Sequence, residues 1–531
     1  MNRSEQLQAL ETDTIWDIIV IGGGATGLGT ALDASLRGYK TLVLEGHDFA
    51  KGTSSRSTKL VHGGVRYLEQ GNIKLVREAL RERGYLLNNA PHLTSIQTFI
   101  VPVFSWWEKM FYGLGLKFYD LLSGKLSLGD TQILSKKETV AHLPTINAKK
   151  LAGGILYYDG QFNDSGLAIE LAATAIKKGA TVINYCRATG FTKTNEKITA
   201  VECLDVLSEK KYTIKAKAIV NATGVFTNAV VQMDEPLQDD LVSPSQGIHL
   251  VIDANFFPGI DAMMIPKTDD GRVLFAVPWH NHLLVGTTDT PLNEHSLEPR
   301  ALKEETDFIL ATASAYFNRK PTENDILSVF SGLRPLAAPT ESNGNSTKEI
   351  SRDHKLIVSA KGLITITGGK WTTYRKMAEE TIDLAIKHSG LAFQPCITKD
   401  LKIHGCADNN DENYMNIYGT DKILIEELCK LQPGLNKKLH PNFPHTEAEV
   451  VWTIKNEMAE TVEDVLSRRL RILFIDATAA IEMCPRVASL LATELGADKA
   501  WEENQIKIFN TLASGYVYHQ NKKEREPLLV S

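Results

Sequence analysis

What this chain lacks narrows its possible work before any motif is read. No apolar run approaches the ~20 residues that a membrane-spanning helix requires, so any contact with a membrane is expected to be peripheral. No two of the six cysteines form a C-x-x-C pair. That sets aside a thioredoxin-like redox disulfide and a zinc site of closely spaced thiolates, and reduced structural thiols in a cytosolic protein are expected. The N-terminal MNRSEQLQALETDT has no apolar stretch of the signal-peptide kind, so secretion is not expected. Basic charge is not in excess either. With 58 Lys and Arg against 64 Asp and Glu, the net charge is −6, without the footprint of a nucleic-acid binder. There is no low-complexity tract, and 43% hydrophobic with 23% charged residues is ordinary globular composition. At 531 residues the chain is too long for one compact core, and two or three domains are expected.

What is present begins with WDIIVIGGGATGLGTALDASLRGYKTLVLEG, residues 16–46. Asp17–Ile21 reads as a buried strand rich in β-branched residues. Gly22, Gly24 and Gly27 then form G-x-G-x-x-G at the start of a helix running to about Leu36. The first glycine permits a tight turn, the second lets backbone approach a pyrophosphate, and the third lets helix and strand pack closely. The helix N-terminus meanwhile aims its free N–H groups at the phosphates. A second strand ends in Glu45, eighteen residues past Gly27, where an acid can hold a ribose hydroxyl. A glycine-rich turn in an ordinary βαβ unit is the competing reading, but strand, helix, second strand and acid at these spacings favour a dinucleotide site.

Two later segments favour a flavin over a nicotinamide. AKAIVNATGVFTN is a strand ending at Asn221-Ala222-Thr223-Gly224, preceded by a meander, ITAVECLD and KYTIKA. LITITGGKWTTYRKMAEETIDLAIK is a strand, then Gly368-Gly369, then a long helix. A second inward-aimed helix N-terminus suits the far end of an extended FAD, whose reduced ring carries negative charge. No second G-x-G-x-x-G follows a strand, as a flavin–nicotinamide reductase would need.

Taken together, IGGGATGLG, GTSSRSTKLVHGGVRYLE, NATGVFTN, SGLRPL, ISRDH and TGGKWTTYRKMAE resemble the FAD-dependent, quinone-linked glycerol-3-phosphate dehydrogenases. The resemblance implies an α/β fold. An FAD-binding Rossmann-like domain of the glutathione-reductase-2/D-amino-acid-oxidase type is expected, with an antiparallel-sheet substrate domain and a helical C-terminal domain. It implies oxidation of sn-glycerol 3-phosphate to dihydroxyacetone phosphate, with electrons passed from reduced FAD to a membrane quinone. A glycerophosphate oxidase using O2, or an amine or amino-acid oxidase of the same fold, is the alternative.

A phosphate ester requires fixed positive charge, best given by bidentate guanidinium. Arg66 in GGVRYLE, Arg334 in SGLRP and Arg352 in SRD sit in loops bounded by Gly or Pro, and by resemblance they form a phosphate clamp with Tyr67. Lys370 is expected to hold substrate or stabilise developing oxyanion charge. The resemblance also implies cofactor contacts from Thr53, Ser57, Lys59, Leu60, His62, Gly63, Gly224, Gly369 and Thr372. Gly63 and Gly64 are expected where backbone passes the isoalloxazine. A base for the hydroxyl proton should titrate near neutrality, which favours histidine. By resemblance His249 in SQGIHLVID is preferred to His62, although a strand histidine is often merely packed.

Residues 99–125, FIVPVFSWWEKMFYGLGLKFYDLLSGK, interleave aromatics with lysines. They read either as a segment lying on a bilayer surface, on the inner face of the cell membrane, or as core beneath a substrate lid. The FAD domain is expected over 15–90, 150–235 and 355–388, the substrate domain over 91–149 and 236–354, and a helical tail over 400–531. The tail holds a capping box, Thr446-x-x-Glu449. It is expected to pack on the FAD domain or to serve a homodimer. No metal site is expected.

Overall fold

A computed structural model of the chain describes residues 1–65, 68, 71–268, 271–292, 295–338, 354–408 and 413–518. Arg66, Tyr67 and Arg352 therefore lie outside the described residues. Two sheets and a helical tail make up the architecture. The first sheet has eight strands, its main path running Lys355–Val358, Leu363–Thr367, Lys211–Asn221, Trp16–Ile21, Thr41–Leu44 and Thr181–Ile183. Neighbours along that path are parallel except the first pair. Cys186–Thr194 and Lys197–Asp205 continue from Lys211–Asn221 as an antiparallel meander. A parallel sheet covered on both faces demands near-continuous apolar strands. Thr41–Leu44 and Leu363–Thr367 are buried throughout, and in Trp16–Ile21 only Asp17 is not. Helices Ala25–Leu36, Asp164–Lys177 and Tyr374–Ser389 contribute Leu28, Leu171 and Ile382 to one core with Val20 and Val43.

The second sheet has ten strands and is antiparallel apart from the pairing of Ala262–Ile265 with Thr94–Val103. Toward one end of it Val242–Asp253 is flanked by His282–Gly286 and Ile326–Ala337. The domain limits drawn from sequence miss one crossing. Gly153–Phe162, expected with the dinucleotide half, pairs with Thr94–Val103 in this second sheet, and Leu60–Val61 joins its edge. Both strands leave the first half to complete the wall between the two.

The tail carries helices Lys422–Leu431, Glu447–Asn456, Ala477–Leu495 and Lys499–Ala513 with a π-helical turn at Asp464–Arg469. The expected capping box is present, Glu449 accepting from the Thr446 N–H at 2.6 Å. The tail core of Leu466, Leu473, Phe474, Met483 and Leu491 also takes in Trp279, Leu284 and Phe330. The tail thus rests on the second sheet as well as on the dinucleotide half. No helix among the described residues is long and apolar enough to cross a membrane. Helix Trp106–Ser123 buries Leu116 and Tyr119 but exposes Trp106, Trp107, Phe111, Leu114 and Leu121.

Candidate active site

The cradle at the end of the first strand is set by what will not fit there. Gly22 has φ +114°, and a Cβ on it would stand 2.6 Å from the Ala222 carbonyl oxygen; one on Gly27 would collide with the Gly22 carbonyl. Only glycine leaves this backbone open to a second backbone-sized group. Gly24 caps helix Ala25–Leu36, and the Ala25 N–H is taken by Ser54 Oγ at 2.9 Å. Glu45, at the end of the second strand, accepts from the Gly23 N–H at 2.5 Å and the His47 N–H at 2.8 Å. Burial pushes its pKa up against those two bonds. Gly224, φ +59°, faces open space beyond the third strand. A backbone nest at a helix N-terminus, a half-buried acid beside it and an opening opposite fit the pyrophosphate and ribose of FAD.

The far end is built from the second glycine pair. Gly368 and Gly369 both have left-handed φ, +79° and +76°, and lead through Lys370 into the turn Trp371–Thr373 and helix Tyr374–Ser389. A Cβ on Gly369 would collide with the Met377 sulfur. The Thr372 hydroxyl accepts from the His62 N–H at 3.3 Å, and Trp371 Nε1–H donates to the Ser54 carbonyl at 2.9 Å. Two sequence blocks some three hundred residues apart therefore meet at the mouth of this helix.

The second sheet supplies the third side. Register places Ser245 opposite Arg334, Gly247 opposite Gly332 and His249 opposite Phe330. Segment 53–58 lies along that strand pair: Thr53 donates to the Leu333 carbonyl at 2.6 Å, and a Cβ on Gly332 would meet the Arg56 carbonyl at 2.8 Å. Thr58 Oγ1 sits 2.9 Å from His249 Nε2. The His249 ring stacks on Phe330 with centroids 5.0 Å apart. Burial, reinforced by the cations Lys59 and Arg334, holds its pKa well below the usual 6.5. This corrects the expectation of titration near neutrality: His249 is neutral across that range. Arg334 lies over Gly247, where any Cβ would collide with it. Its guanidinium donates to the Thr288 carbonyl at 2.9 Å, Thr287 Oγ1 at 3.1 Å and the Gln246 carbonyl at 3.3 Å, and pairs with Asp289 at 3.2 Å. A quarter of the side chain remains exposed.

Several expected cofactor donors are engaged elsewhere. Lys59 is fully buried, its ammonium 2.7 Å from Asp164 and 2.8 Å from the Ser55 carbonyl. It also faces the rings of Trp279, Phe330 and Phe474 within 5.7 Å. Desolvation there lowers its pKa to about 7. Its side chain braces the seam with the tail. Ser57 likewise gives its hydroxyl to Asp164 at 2.7 Å, and the Thr53 hydroxyl goes to Leu333. Gly63 leaves room for Leu80 and for Tyr119, whose hydroxyl accepts from the Gly63 N–H at 2.7 Å, so a packed tyrosine explains that glycine. Leu60 packs with Phe99 and Val101. Thr58, Asp164 and Arg471 are functional neighbours that sequence reasoning missed. Asp164 reads as an ordinary acid in a helix first turn, and no local signal marks the other two.

Residues 17–375 match the family model described as FAD dependent oxidoreductase, and residues 363–502 match the C-terminal domain of alpha-glycerophosphate oxidase. The mitochondrial glycerol-3-phosphate dehydrogenases of Mesocricetus auratus and Homo sapiens are each 38% identical over 555 residues, covering 98% of this chain and 75% of theirs. The X-ray structure of the glycerol-3-phosphate dehydrogenase from Bacillus halodurans complexed with FAD aligns with a TM-score of 0.76 at 28% identity, over 97% of each chain. The L-alpha-glycerophosphate oxidase of Mycoplasma pneumoniae shares the fold, with a TM-score of 0.57 at 19% identity over 70% of this chain and 95% of its own.

Proposed function

The chain belongs to the FAD-dependent glycerol-3-phosphate dehydrogenase family, and from that premise we propose that it oxidises sn-glycerol 3-phosphate to dihydroxyacetone phosphate. The observation that supports this most directly is the meeting of three remote segments, around Ser54–His62, Gly247–His249 with Arg334, and Lys370–Thr372. Gly22, Gly24 and Gly27 cradle the pyrophosphate of FAD, and Glu45 takes ribose hydroxyls on the lone pairs its two amide donors leave. Gly224, Gly369, Thr372 and the backbone of 60–63 border the ring end. When bound, FAD supplies the acceptor for hydride from the alcohol carbon.

The protein's own groups do the rest. Arg334, held by Asp289, the Thr287 hydroxyl and the Thr288 carbonyl, presents a fixed guanidinium to the phosphate. Arg66, Tyr67 and Arg352 are its proposed partners in that clamp. His249, neutral at working pH, takes the hydroxyl proton on a ring nitrogen. Lys370 stabilises the negative charge that develops on the substrate oxygen as the proton leaves.

Electrons are proposed to pass to a membrane quinone. The exposed rings of helix Trp106–Ser123, with Lys109, Lys117 and Lys125 nearby, suit peripheral attachment to a bilayer surface. Anaerobic titration tests the reading: glycerol 3-phosphate bleaches the bound flavin and glycerol does not. His249→Ala is expected to slow that bleaching by roughly 10²–10⁴-fold, the range for a lost general base. Equal bleaching by glycerol would overturn the phosphate clamp, and oxygen uptake without added quinone would favour the oxidase alternative.

A further inference from the structure

A base that must receive a proton on one imidazole nitrogen depends on what the other nitrogen touches, because that contact selects the tautomer. Thr58 Oγ1 is the polar group hydrogen-bonded to His249 Nε2, at 2.9 Å. Nδ1 is buried and without a hydrogen-bond partner among the described residues. The ring cannot easily tilt. Phe330 stacks on one face at an interplanar angle of 19°, and the Cδ2 edge lies where a Cβ on Gly286 would collide with it. The remaining freedom, which nitrogen carries the proton, is left to the threonine hydroxyl.

Thr58 is itself gripped from both sides. Ser57 Oγ and Lys59 Nζ each reach Asp164 Oδ2 at 2.7 Å, and the Ser57 N–H reaches the same oxygen at 3.2 Å. The other carboxylate oxygen accepts from Arg471 Nη2 of the helical tail at 3.1 Å. Arg471 Nη2 and Lys59 Nζ also share the Ser55 carbonyl, at 2.9 and 2.8 Å. Lys59 stands at φ +63°, a left-handed conformation that a side-chain-bearing residue keeps only where its surroundings over-determine it. Segment 55–59 is therefore wrapped around one buried carboxylate, whose second oxygen is held by the tail.

We propose that Thr58 is a positioning residue for His249: its hydroxyl oxygen accepts from Nε2–H, which keeps the proton there and leaves the Nδ1 lone pair open, and Arg471 of the tail holds Thr58 in place through Asp164. The catalytic consequence rests on the function proposed above; the structural claim does not. Comparison of Thr58→Val, which keeps the branched shape without the hydroxyl, with Thr58→Ser, which keeps the hydroxyl, decides the matter. In flavin-loaded enzyme with 15N-labelled imidazole, the Nδ1 and Nε2 resonances of His249 are expected to shift in Thr58→Val and stay near wild type in Thr58→Ser. With glycerol 3-phosphate, kcat in Thr58→Val is expected to fall ~10–100-fold, the cost of slight misplacement of a reacting group, with KM little changed and Thr58→Ser restoring most of the loss. Arg471→Gln is expected to move the same resonances with Thr58 intact.

Unmoved resonances in Thr58→Val, or equal losses in the valine and serine variants, would overturn the role of the hydroxyl. Unmoved resonances in a flavin-loaded Arg471→Gln would overturn the part given to the tail. Should glycerol 3-phosphate fail to bleach wild-type flavin, the proposed reaction falls, while the spectra, taken without substrate, still decide this inference.

Discussion

The seam between the dinucleotide half and the helical tail has charge on its inside, whereas helix Trp106–Ser123 carries Trp106, Trp107 and Phe111 on its outside. At the seam Asp48 is fully buried between Arg468 and Arg469, with Arg468 Nε at 2.5 Å. Arg468 also reaches Glu463 at 2.6 Å and Asp464 at 2.5 Å. Lys51 and Arg56 converge on Glu298, each at 2.7 Å. On the helix, Trp107 is 77% and Leu114 73% exposed. The difference teaches where each surface finds its partner. Buried charges there are satisfied by one another and by backbone carbonyls, so the seam is a fixed joint that keeps its ion pairs at the expense of desolvation. A contiguous band of exposed rings is left for something outside the chain to cover.

The comparison breaks first at Asp48. Asp48→Asn removes the buried carboxylate that Arg468 and Arg469 share and is expected to lower unfolding free energy by about 3–5 kcal/mol, measured by denaturant titration; a loss under ~1 kcal/mol would show the seam to be looser than described. The helix should answer in the opposite way. Trp106→Ser with Trp107→Ser is expected to weaken binding to mixed zwitterionic and anionic vesicles at least ~10-fold, since burying each ring contributes roughly 1.5–3 kcal/mol, with the melting temperature unchanged. Unaltered co-sedimentation would remove the bilayer role.

A smaller effect sharpens the seam. His47 lies beside Arg187, Lys51 and Arg468, and burial first, then those cations, lower its pKa to about 4. Between that value and the ordinary 6.5 the folded protein binds fewer protons than the unfolded chain, so stability rises with pH and is lost on acidification through that window. His47→Gln should flatten the slope there by up to one proton, about 1.4 kcal/mol per pH unit. The smallest expected change is a control. Lys303 and Asp307, paired at 2.7 Å with both side chains about half exposed, should leave the melting curve unmoved when Lys303 becomes Ala.

Local signals carried far in this chain. The nest of Gly22, Gly24 and Gly27, the acid at Glu45 and the second glycine turn at Gly368-Gly369 were all legible, because a ligand's backbone contacts demand residues of fixed type at fixed spacing. The meander and the capping box at Thr446 were legible because strand alternation and helix capping are set by neighbours in sequence. The packing of Lys59, Ser57 and Gly63 was not legible, because their neighbours in space, Asp164, Phe474 and Tyr119, come from distant parts of the chain, and no periodicity announces a tertiary ion pair. The crossing of Gly153–Phe162 into the second sheet was hidden too. An apolar strand reads alike in either sheet, and only pairing with Thr94–Val103 decides. Charge at the seam was least visible of all, since Arg468, Arg469 and Arg471 look like a solvated basic run until their acids are found.

The two ends of the cofactor cradle are far apart in the order of synthesis. Gly22 and Glu45 leave the ribosome early, but the turn at Gly368–Thr373, which closes on Ser54 and His62, emerges only after most of the chain. A nascent polypeptide therefore has no complete place for the ring until that turn has emerged.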